Sequence, residues 1–360
     1  MRILFISRAF PPIIGGIENQ NAALAKWLPK HASVCTLANP YGKIFLPFFL
    51  PYVTIRTLFT IGKYDVVLLG DGVLACVGSV IKKFAPHKKV ISVIHGLDLT
   101  YNHAIYQALW VRHFLPALDG LIAVSEETKN LALHKGITNS SIHVLPNGID
   151  VTSLQSSATR LDLEKTIGKN ITGQHILLTA GRLVKRKGAA WFIKNVLPTI
   201  PENTLYILSG SGPEEAEIRQ AITDTHLQDR VVLLGRVSDK TRNILLNTVD
   251  LFVQPNIAVP GDMEGFGIAV IEAAACGRPV VAANLEGLKD AIIEGENGRL
   301  VEPENAAAMS AAITSLLQDD ATRRTLGERA KAYTREHYNW DHIAQRYISV
   351  LDQTTPTNTL

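Results

Sequence analysis

The sequence predicts an α/β protein made of two similar domains, and three observations lead to this prediction. The chain has 360 residues, more than one hydrophobic core usually serves. Short apolar runs alternate with helical patterns along both halves. A polar stretch at residues 152–173 separates the two series. Since 46% of the residues are hydrophobic and only 19% are charged, we expect compact cores rather than disorder.

The first half opens with a predicted buried strand at residues 2–7, followed by Gly15 and Gly16 and a helical pattern at 19–28. A strand, a glycine turn and a helix begin a doubly wound domain, which binds ligands at the carboxyl ends of its strands. The glycine pair therefore marks either a ligand site or a plain tight turn. Further strands are predicted at residues 34–37, 65–70, 89–94, 121–124 and 142–145.

The second half repeats the pattern. Strands are predicted at residues 175–179, 204–209, 231–234, 251–254 and 280–282, and helices at 189–196, 214–222, 240–247, 268–275, 306–318, 321–337 and 341–351. We therefore expect two facing Rossmann-like domains with a cleft between them, at residues 1–160 and 170–337, and a C-terminal helix at 338–352.

Charge and motif content exclude several function classes. The net charge is +3, but residues 1–150 carry 14 Lys and Arg against 8 Asp and Glu. This basic half either faces an anionic partner such as a membrane or is simply solvated. We predict no nucleic-acid partner, because no dense Lys/Arg cluster is interleaved with aromatics. No metal motif such as C-x-x-C or H-E-x-x-H occurs. The first apolar run is too short for a signal peptide, so we expect a cytoplasmic protein.

An uncharged apolar run occupies residues 44–55 between the cations Lys43 and Arg56. The run is too short and too interrupted by proline to span a bilayer. An exposed loop of this kind would suit a membrane interface or a lipid-linked substrate, and would place the protein at the cytoplasmic face of the membrane. A buried loop or a helix packed on the core explains the run equally well.

Two carboxylates and a cationic loop are the main candidates for a site in the second half. Glu264 and Glu272 stand eight positions apart across a glycine-rich turn that enters a helix, whose free N–H groups favour anions. Arg182 and Lys187 follow the predicted strand at 175–179, where cations suit a polyanionic ligand. In the first half, His95 ends a strand beside a glycine, where a cleft is expected. Each residue taken alone is also compatible with an ordinary surface or turn position.

The loop Gly210-Ser-Gly212 lacks the third glycine of a dinucleotide fingerprint, and no P-loop motif occurs. We therefore do not expect NAD binding or P-loop phosphate transfer. The loop suits close approach of a base or ribose to the backbone.

Taken in order, these segments resemble retaining glycosyltransferases of the GT-B fold, family 4. The resemblance rests on residues 12–18, 95–98, 146–150, 181–188, 210–212 and 264–272, and most specifically on E-x7-E with its G-F-G core and on the Arg182/Lys187 pair. It implies a hexosyltransferase that needs no metal or cofactor and uses a nucleoside diphosphate sugar, UDP- or GDP-linked, as co-substrate. It also implies that the C-terminal helix, with Trp340, crosses back to the first domain.

The resemblance also implies individual roles. Arg182 and Lys187 would hold the diphosphate, Glu272 the ribose hydroxyls, and the backbone at Arg236 and Val237 the base. Glu264 and the amides of Phe266, Gly267 and Ile268 would hold sugar and phosphate. His95 would approach the reacting carbon, and Gly16 would let a loop come close to donor and acceptor.

The acceptor expected from the apolar run and the basic half is a glycan or a lipid-linked glycan precursor in cell-surface polysaccharide or lipopolysaccharide synthesis. Two alternatives remain at this stage. One is a nucleotide-sugar epimerase of similar fold, and the other is a non-catalytic nucleotide-sugar-binding subunit.

Overall fold

The computed structural model describes residues 1–13, 15–138 and 140–353 and consists of two compact units. Unit 1 contains Met1–Gly148, the short segment Gly261–Phe266 and residues 340–353. Unit 2 contains Ile149–Pro260 and Gly267–Asn339. Each unit is built around its own parallel sheet.

Unit 1 has a six-stranded parallel sheet in the order β2-β1-β3-β4-β5-β6. Its strands are β1 Arg2–Ser7, β2 Ser33–Ala38, β3 Val66–Leu69, β4 Lys89–Ile94, β5 Gly120–Ala123 and β6 Ser141–Val144. The central strands are apolar on both faces, because helices cover both sides of a doubly wound sheet.

The helices of unit 1 that precede β6 lie in the crossovers between these strands, and the last helix of the unit follows unit 2 in the chain. The helices of the unit are Gly16–Trp27, Leu46–Thr60, Ala75–Phe84, Leu97–Thr100, Ala104–Tyr106, the π-helical Gln107–Phe114, Glu126–His134 and Trp340–Gln353, with 3-10 turns at Leu28–Lys30, Lys43–Phe45, Ile61–Lys63, Gly72–Leu74 and Leu115–Ala117. Ser125 caps Glu126–His134 by accepting a hydrogen bond from the Thr128 N–H.

The last helix packs on the first one within unit 1. The Gln20 side chain donates a hydrogen bond to the Tyr347 hydroxyl over 3.2 Å, and His31 Nε2 lies 3.0 Å from Asp341 Oδ1. A methyl group on Gly148 would lie 2.7 Å from the Trp340 ring, so only glycine permits this contact. The C-terminal helix is therefore part of the first Rossmann-like unit.

Unit 2 has a second six-stranded parallel sheet in the order β12-β11-β10-β7-β8-β9. Its strands are β7 His175–Ala180, β8 Thr204–Ser209, β9 Val231–Gly235, β10 Leu251–Gln254, β11 Val280–Ala283 and β12 Arg299–Val301. Its helices are Arg160–Ile167, Ala189–Asn195, Glu215–Asp224, Asp239–Thr248, Ile268–Ala275, Leu288–Ala291, Ala306–Gln318 and Asp320–His337, with 3-10 turns at Lys185–Lys187 and Leu197–Thr199.

The predicted α/β class with two Rossmann-like domains is confirmed. Two local elements of unit 2 were not predicted, and the structure decides between the alternatives for residues 44–55. The polar stretch at 152–173 contains the helix Arg160–Ile167, which begins with a Thr159/Asp162 capping box and buries Leu163. Strand β12 was missed because it has only three residues. Of the alternatives for residues 44–55, the helix is observed: the run occupies the 3-10 turn Lys43–Phe45 and the start of the helix Leu46–Thr60. Pro47 is compatible with this helix because it lies in the first turn, where an N–H is not needed.

Candidate functional site

Backbone hydrogen bonds join the segments that follow three neighbouring strands of unit 2. The Gly181 N–H after β7 donates to the Ser209 carbonyl over 2.9 Å, and the Gly210 N–H after β8 donates to the Gly235 carbonyl over 2.7 Å. The carboxyl ends of β7, β8 and β9 therefore meet at one edge of the sheet. This is the edge at which open α/β sheets bind ligands.

Three glycines at this edge are required by the protein's own backbone. A methyl group on Gly210 would collide with the Gly181 carbonyl oxygen, and one on Gly212 would collide with the Leu183 carbonyl. Gly188 has φ +66°, and its methyl would collide with the Pro255 carbonyl. Backbone packing thus explains Gly210 and Gly212 without the base or ribose that the sequence suggested.

Cations project from the same strand ends. Arg182 follows β7 and Arg236 follows β9, and both side chains are exposed. Neither guanidinium forms an ion pair with any residue that the structure describes. Lys187 ends the 3-10 turn Lys185–Lys187 in the same loop and is only 8% exposed. The edge therefore presents two free guanidinium groups, which suit a phosphate-bearing ligand.

The turn into the helix Ile268–Ala275 also lies at a strand end of unit 2, after β10. Gly267 caps this helix with φ +93°, and a methyl group there would lie 2.6 Å from Leu288 Cδ2. The first N–H groups of the helix follow directly, at the end of the helix that favours anions. The predicted helix at 268–275 is confirmed.

Glu272 lies one turn into that helix and is half-buried. Its carboxylate has no hydrogen-bond partner within the described part of the chain. Burial and the nearby Asp239 raise the pKa of Glu272, and Arg242 only partly offsets them. Burial therefore makes the ionised form of Glu272 unfavourable in the protein without ligand. Such a carboxyl group is a candidate for contact with a ligand.

Val237 is the last of the residues of unit 2 that were predicted to bind the sugar donor. It follows Arg236 after β9. Its side chain is half-buried, and Ser238 next to it caps the helix Asp239–Thr248 by accepting from the Thr241 N–H. The backbone of residues 236–237 is therefore held between a strand end and a capped helix. Its role in reading a base stays a prediction.

In unit 1, His95 directly follows β4 and is 8% exposed. Its Nε2 lies 3.0 Å from the Gly70 carbonyl oxygen, and its backbone N–H donates to Asp98 Oδ2 over 3.2 Å. Asp98 Oδ2 also accepts from the Gly72 N–H over 2.9 Å. Asp98 thus joins the segments that follow β3 and β4 and holds the backbone that carries His95.

The segment Gly261–Phe266 packs against His95 within unit 1. A methyl group on Gly265 would lie 2.7 Å from the His95 carbonyl oxygen, and one on Gly96 would lie 2.9 Å from Met263 Sδ. The residue before Gly265 is Glu264, which is 8% exposed. The structure therefore brings together the backbone segments that carry His95 and Glu264.

This placement differs from the predicted domain boundaries. We expected Glu264 and Phe266 within the second domain at 170–337, whereas both group with unit 1 by their contacts. Phe266 is 2% exposed, and its burial fixes the end of the segment. Gly267, Ile268 and Glu272 remain in unit 2.

Gly16 is the first residue of the helix Gly16–Trp27 and is exposed. No atom lies within 4 Å of a methyl group placed on it. In contrast to Gly210, packing inside the protein does not require glycine here. The space above Gly16 is open to a ligand.

Sequence reasoning missed a buried polar cluster beside His95. Arg8 Nε donates to Asp71 Oδ1 over 2.8 Å, and Asp71 is fully buried. Asp71 Oδ2 and the Tyr106 hydroxyl are both buried without a hydrogen-bond partner in the described residues. Burial raises the pKa of Asp71 against the effect of Arg8. The sequence did contain one indication of this cluster. Arg8 follows β1 and Asp71 follows β3, so both lie at the carboxyl ends of strands, where open α/β sheets bind ligands.

Among the described residues, no group of three or more His, Cys, Asp or Glu side chains is arranged to hold a metal ion.

Comparison with known proteins gives two family matches. A model described as Glycosyl transferases group 1 matches residues 163–333, and one described as Glycosyltransferase Family 4 matches residues 14–153. D-inositol 3-phosphate glycosyltransferase from Xylanimonas cellulosilytica is 31% identical over 249 residues, which cover 66% of this chain and 58% of that relative.

Two further similarities extend over nearly the whole chain. A GDP-mannose-dependent monoacylated alpha-(1-6)-phosphatidylinositol monomannoside mannosyltransferase from Corynebacterium glutamicum is 26% identical over 381 residues, 97% of each chain. The crystal structure of Anabaena HepE in complex with UDP-glucose superposes with a TM-score of 0.79 at 22% identity, covering 98% of this chain and 100% of that one. The family matches and the shared fold show that the chain belongs to glycosyltransferase family 4, with the GT-B fold.

Proposed function

We propose that this protein is a retaining hexosyltransferase that moves a sugar from a nucleoside diphosphate sugar to a glycan or lipid-linked acceptor. The observation that carries the proposal is the pair of unpaired, exposed guanidinium groups of Arg182 and Arg236, which follow β7 and β9, the two strands that flank β8 in unit 2. Exposed cations without partners at the ligand edge of an α/β sheet favour a polyanion such as a diphosphate.

Unit 2 would bind the nucleoside diphosphate. Arg182 and Lys187 would contact the phosphate oxygens, and the first amides of the helix that begins at Ile268 would add hydrogen bonds. Glu272 would accept hydrogen bonds from the ribose hydroxyls, which would stabilise its ionised form against the burial that raises its pKa. Arg236 and Val237 would present backbone groups to the base.

Unit 1 would meet the sugar through the neighbouring chain segments at His95 and Glu264. We propose that Glu264 positions sugar hydroxyls and that His95 lies near the anomeric carbon. Gly16 would leave room for donor and acceptor. Glu264 is proposed as a positioning group rather than as a nucleophile.

The proposed reaction replaces one bond at the anomeric carbon by another on the same face of the sugar. The bond to the phosphate oxygen breaks with its electron pair remaining on the diphosphate, and the acceptor hydroxyl oxygen forms the new bond. The departing phosphate takes the acceptor proton. Fixed cations lower the barrier because the diphosphate gains negative charge as the bond breaks. We propose that these cations replace a metal ion and that no cofactor takes part.

The relatives support the donor class. One is described as GDP-mannose-dependent, and the superposed HepE crystal contains UDP-glucose. The proposed donor is accordingly a UDP- or GDP-linked hexose. The acceptor proposal draws on the mannosyltransferase described as acting on a phosphatidylinositol monomannoside and on the basic first half of the chain. It places the enzyme in cell-surface polysaccharide or lipopolysaccharide synthesis, at the cytoplasmic side of the membrane.

Nucleotide binding and turnover test the proposal. A thermal-shift panel of nucleotides and nucleotide sugars should identify one stabilising nucleoside diphosphate, and the matching sugar donor should be turned over in the presence of a chelator. Arg182→Ala should weaken nucleotide binding about tenfold or more. Arg324→Ala is the matched control, because Arg324 is also exposed and unpaired within the described part of unit 2.

Three outcomes would contradict the proposal in different ways. Binding without transfer or hydrolysis of any donor would favour a non-catalytic subunit, and interconversion of free nucleotide sugars would favour an epimerase. Equal nucleotide affinity in Arg182→Ala and the parent would remove the proposed diphosphate site. The anomeric configuration of the product, measured by NMR, decides between retention and inversion.

A further inference from the structure

One helix of unit 1 has two apolar faces. The helix Leu46–Thr60 and the 3-10 turns at its two ends form one continuous helical segment, Lys43–Lys63. Among the described residues, this segment alone is long and apolar enough to cross a membrane, with 21 residues and a mean hydropathy of 1.6. Only 17% of its most apolar window is buried. We call this segment the apolar helix.

One face of the apolar helix belongs to the core of unit 1. Phe49 is 8% exposed, and Val53 and Thr57 are fully buried. These residues follow one another at intervals of four, so they form one stripe along the helix. This face accounts for the position of the helix in the fold.

The opposite face is apolar and exposed. Its members stand at intervals of three or four and are 52% to 87% exposed: Ile44, Phe48, Tyr52, Ile55 and Phe59. At about 100° per residue, the five side chains fall within an arc of about 80°. We call this set the exposed stripe. An exposed apolar row of this length marks an interaction surface, since soluble proteins seldom leave one uncovered.

Aromatic side chains extend the exposed stripe at its N-terminal end. The Tyr41 and Phe45 rings lie 4.9 Å apart, and the Phe45 and Phe48 rings lie 5.8 Å apart. All three are exposed, by 68%, 46% and 71% respectively. Tyr41 carries a polar hydroxyl on its ring, a type of side chain that is favoured at the boundary between lipid chains and headgroups, whereas the two Phe rings add apolar surface.

The chain segment that carries the exposed stripe has charges of one sign. No Asp or Glu occurs between Glu18 and Asp65, whereas this interval holds five Lys and Arg. Three of these cations are exposed on the apolar helix itself: Lys43, Arg56 and Lys63. Cations that flank an apolar face attract anionic lipid headgroups.

The sheet topology excludes a spanning orientation for this helix in the folded unit. The preceding strand β2 and the following strand β3 both pair with β1, as in Arg2 with Ser33 and Ile3 with Val66. Both ends of the helix therefore return to the same sheet and lie on the same side of any membrane. The buried face cannot reach lipid either, because it packs on the core.

We propose that the exposed stripe docks in the plane of an anionic lipid bilayer, with its apolar side chains among the acyl chains and Lys43, Arg56 and Lys63 at the headgroups. The occupant is a lipid surface rather than a second copy of the chain, because a purely cationic rim would face an identical cationic rim in a twofold dimer. This docking does not depend on the transferase activity.

Sedimentation of the full chain with vesicles tests the docking in the absence of donor and acceptor. The parent should bind vesicles that contain anionic phospholipid far more strongly than phosphatidylcholine vesicles, and 1 M salt should weaken the binding. Ile55→Glu should lower the partition coefficient about tenfold or more. Leu161→Glu is the matched control, because Leu161 is 57% exposed in unit 2 and Ile55 is 56% exposed.

Two double variants that each remove two lysine charges complete the test. Lys43→Gln with Lys63→Gln should lower binding to anionic vesicles about tenfold or more, and Lys165→Gln with Lys240→Gln should leave it unchanged. Thermal denaturation of each variant confirms that it folds. Equal vesicle binding by Ile55→Glu and the parent, or no binding by the parent, would overturn the proposal. So would a dimer in analytical ultracentrifugation that Ile55→Glu converts to a monomer while neither protein binds vesicles.

Discussion

His95 Nε2 lies 3.0 Å from the carbonyl oxygen of Gly70. A carbonyl oxygen can only accept, so His95 must donate the proton on Nε2. In the neutral ring, Nδ1 then carries the lone pair. This single contact fixes both the tautomer and the ring orientation of the residue that we propose to lie near the reacting sugar.

His95→Gln tests that orientation. The glutamine amide can still donate to the Gly70 carbonyl, so the unit should fold with nearly unchanged stability. The transfer rate should fall about hundredfold, because no imidazole remains beside the sugar. Nucleotide affinity, measured by calorimetry, should stay close to that of the parent, since Arg182 and Lys187 belong to unit 2. A variant with parental turnover would exclude His95 from the reaction.

The buried pair of Arg8 and Asp71 should be sensitive to removal of one partner. Arg8→Leu leaves a fully buried carboxylate without its cation, and the free energy of unfolding at pH 7 should fall by about 3–5 kcal/mol. The pKa of Asp71 is already raised by burial and should rise further without Arg8. The deficit relative to the parent should therefore shrink as the pH falls and Asp71 takes up a proton.

An exposed ion pair in the same unit provides the control for that experiment. Arg2 and Asp65 lie 3.1 Å apart with side chains that are 58% and 35% exposed. Arg2→Leu should cost less than about 1 kcal/mol, because water replaces the lost partner. Chemical denaturation at several pH values measures both variants. Equal losses at the two sites would contradict the proposed cost of leaving Asp71 uncompensated.

Glu272→Gln should separate stability from ligand binding. The folded-state pKa of Glu272 lies above its ordinary value of 4.5, so the ionised carboxylate costs stability once the pH exceeds the folded-state pKa. The variant should unfold at a higher temperature than the parent at pH 7, and this advantage should disappear below about pH 4.5. Nucleoside diphosphate affinity should fall about tenfold, because a charged acceptor for the ribose is lost.

The exposed carboxylate Glu302 supplies a comparison for Glu272. Glu302→Gln should change neither the melting temperature nor nucleotide affinity, since this side chain has no partner among the described residues of unit 2. A Glu272→Gln variant that binds nucleotide like the parent would assign Glu272 a purely structural position.

The sequence predicted most strands to within one or two residues, and it predicted the helix after Gly267 correctly. These elements have strong periodicity and clear glycine or proline ends, so local physics is enough to define them. The helix Arg160–Ile167 escaped notice because only Leu163 is buried among polar neighbours. The short strand Arg299–Val301 depends on pairing with β11, which no local pattern reveals.

The sequence by itself determined the α/β class, the two parallel sheets and the family. Apolar periodicity and the order of the motifs can be read along the chain without knowing which residues are in contact. Only the tertiary structure decided which residues meet. It grouped Glu264 with His95 in unit 1, where the glycine at 265 lets two backbones touch. It showed that the backbone of Gly181 requires a glycine at 210, and that no atom lies within 4 Å of a methyl group placed on Gly16. It also placed Arg8 against Asp71. It also turned the apolar run into a helix with one buried and one exposed face. Such relations join residues that are far apart along the chain, so they depend on packing rather than on local sequence.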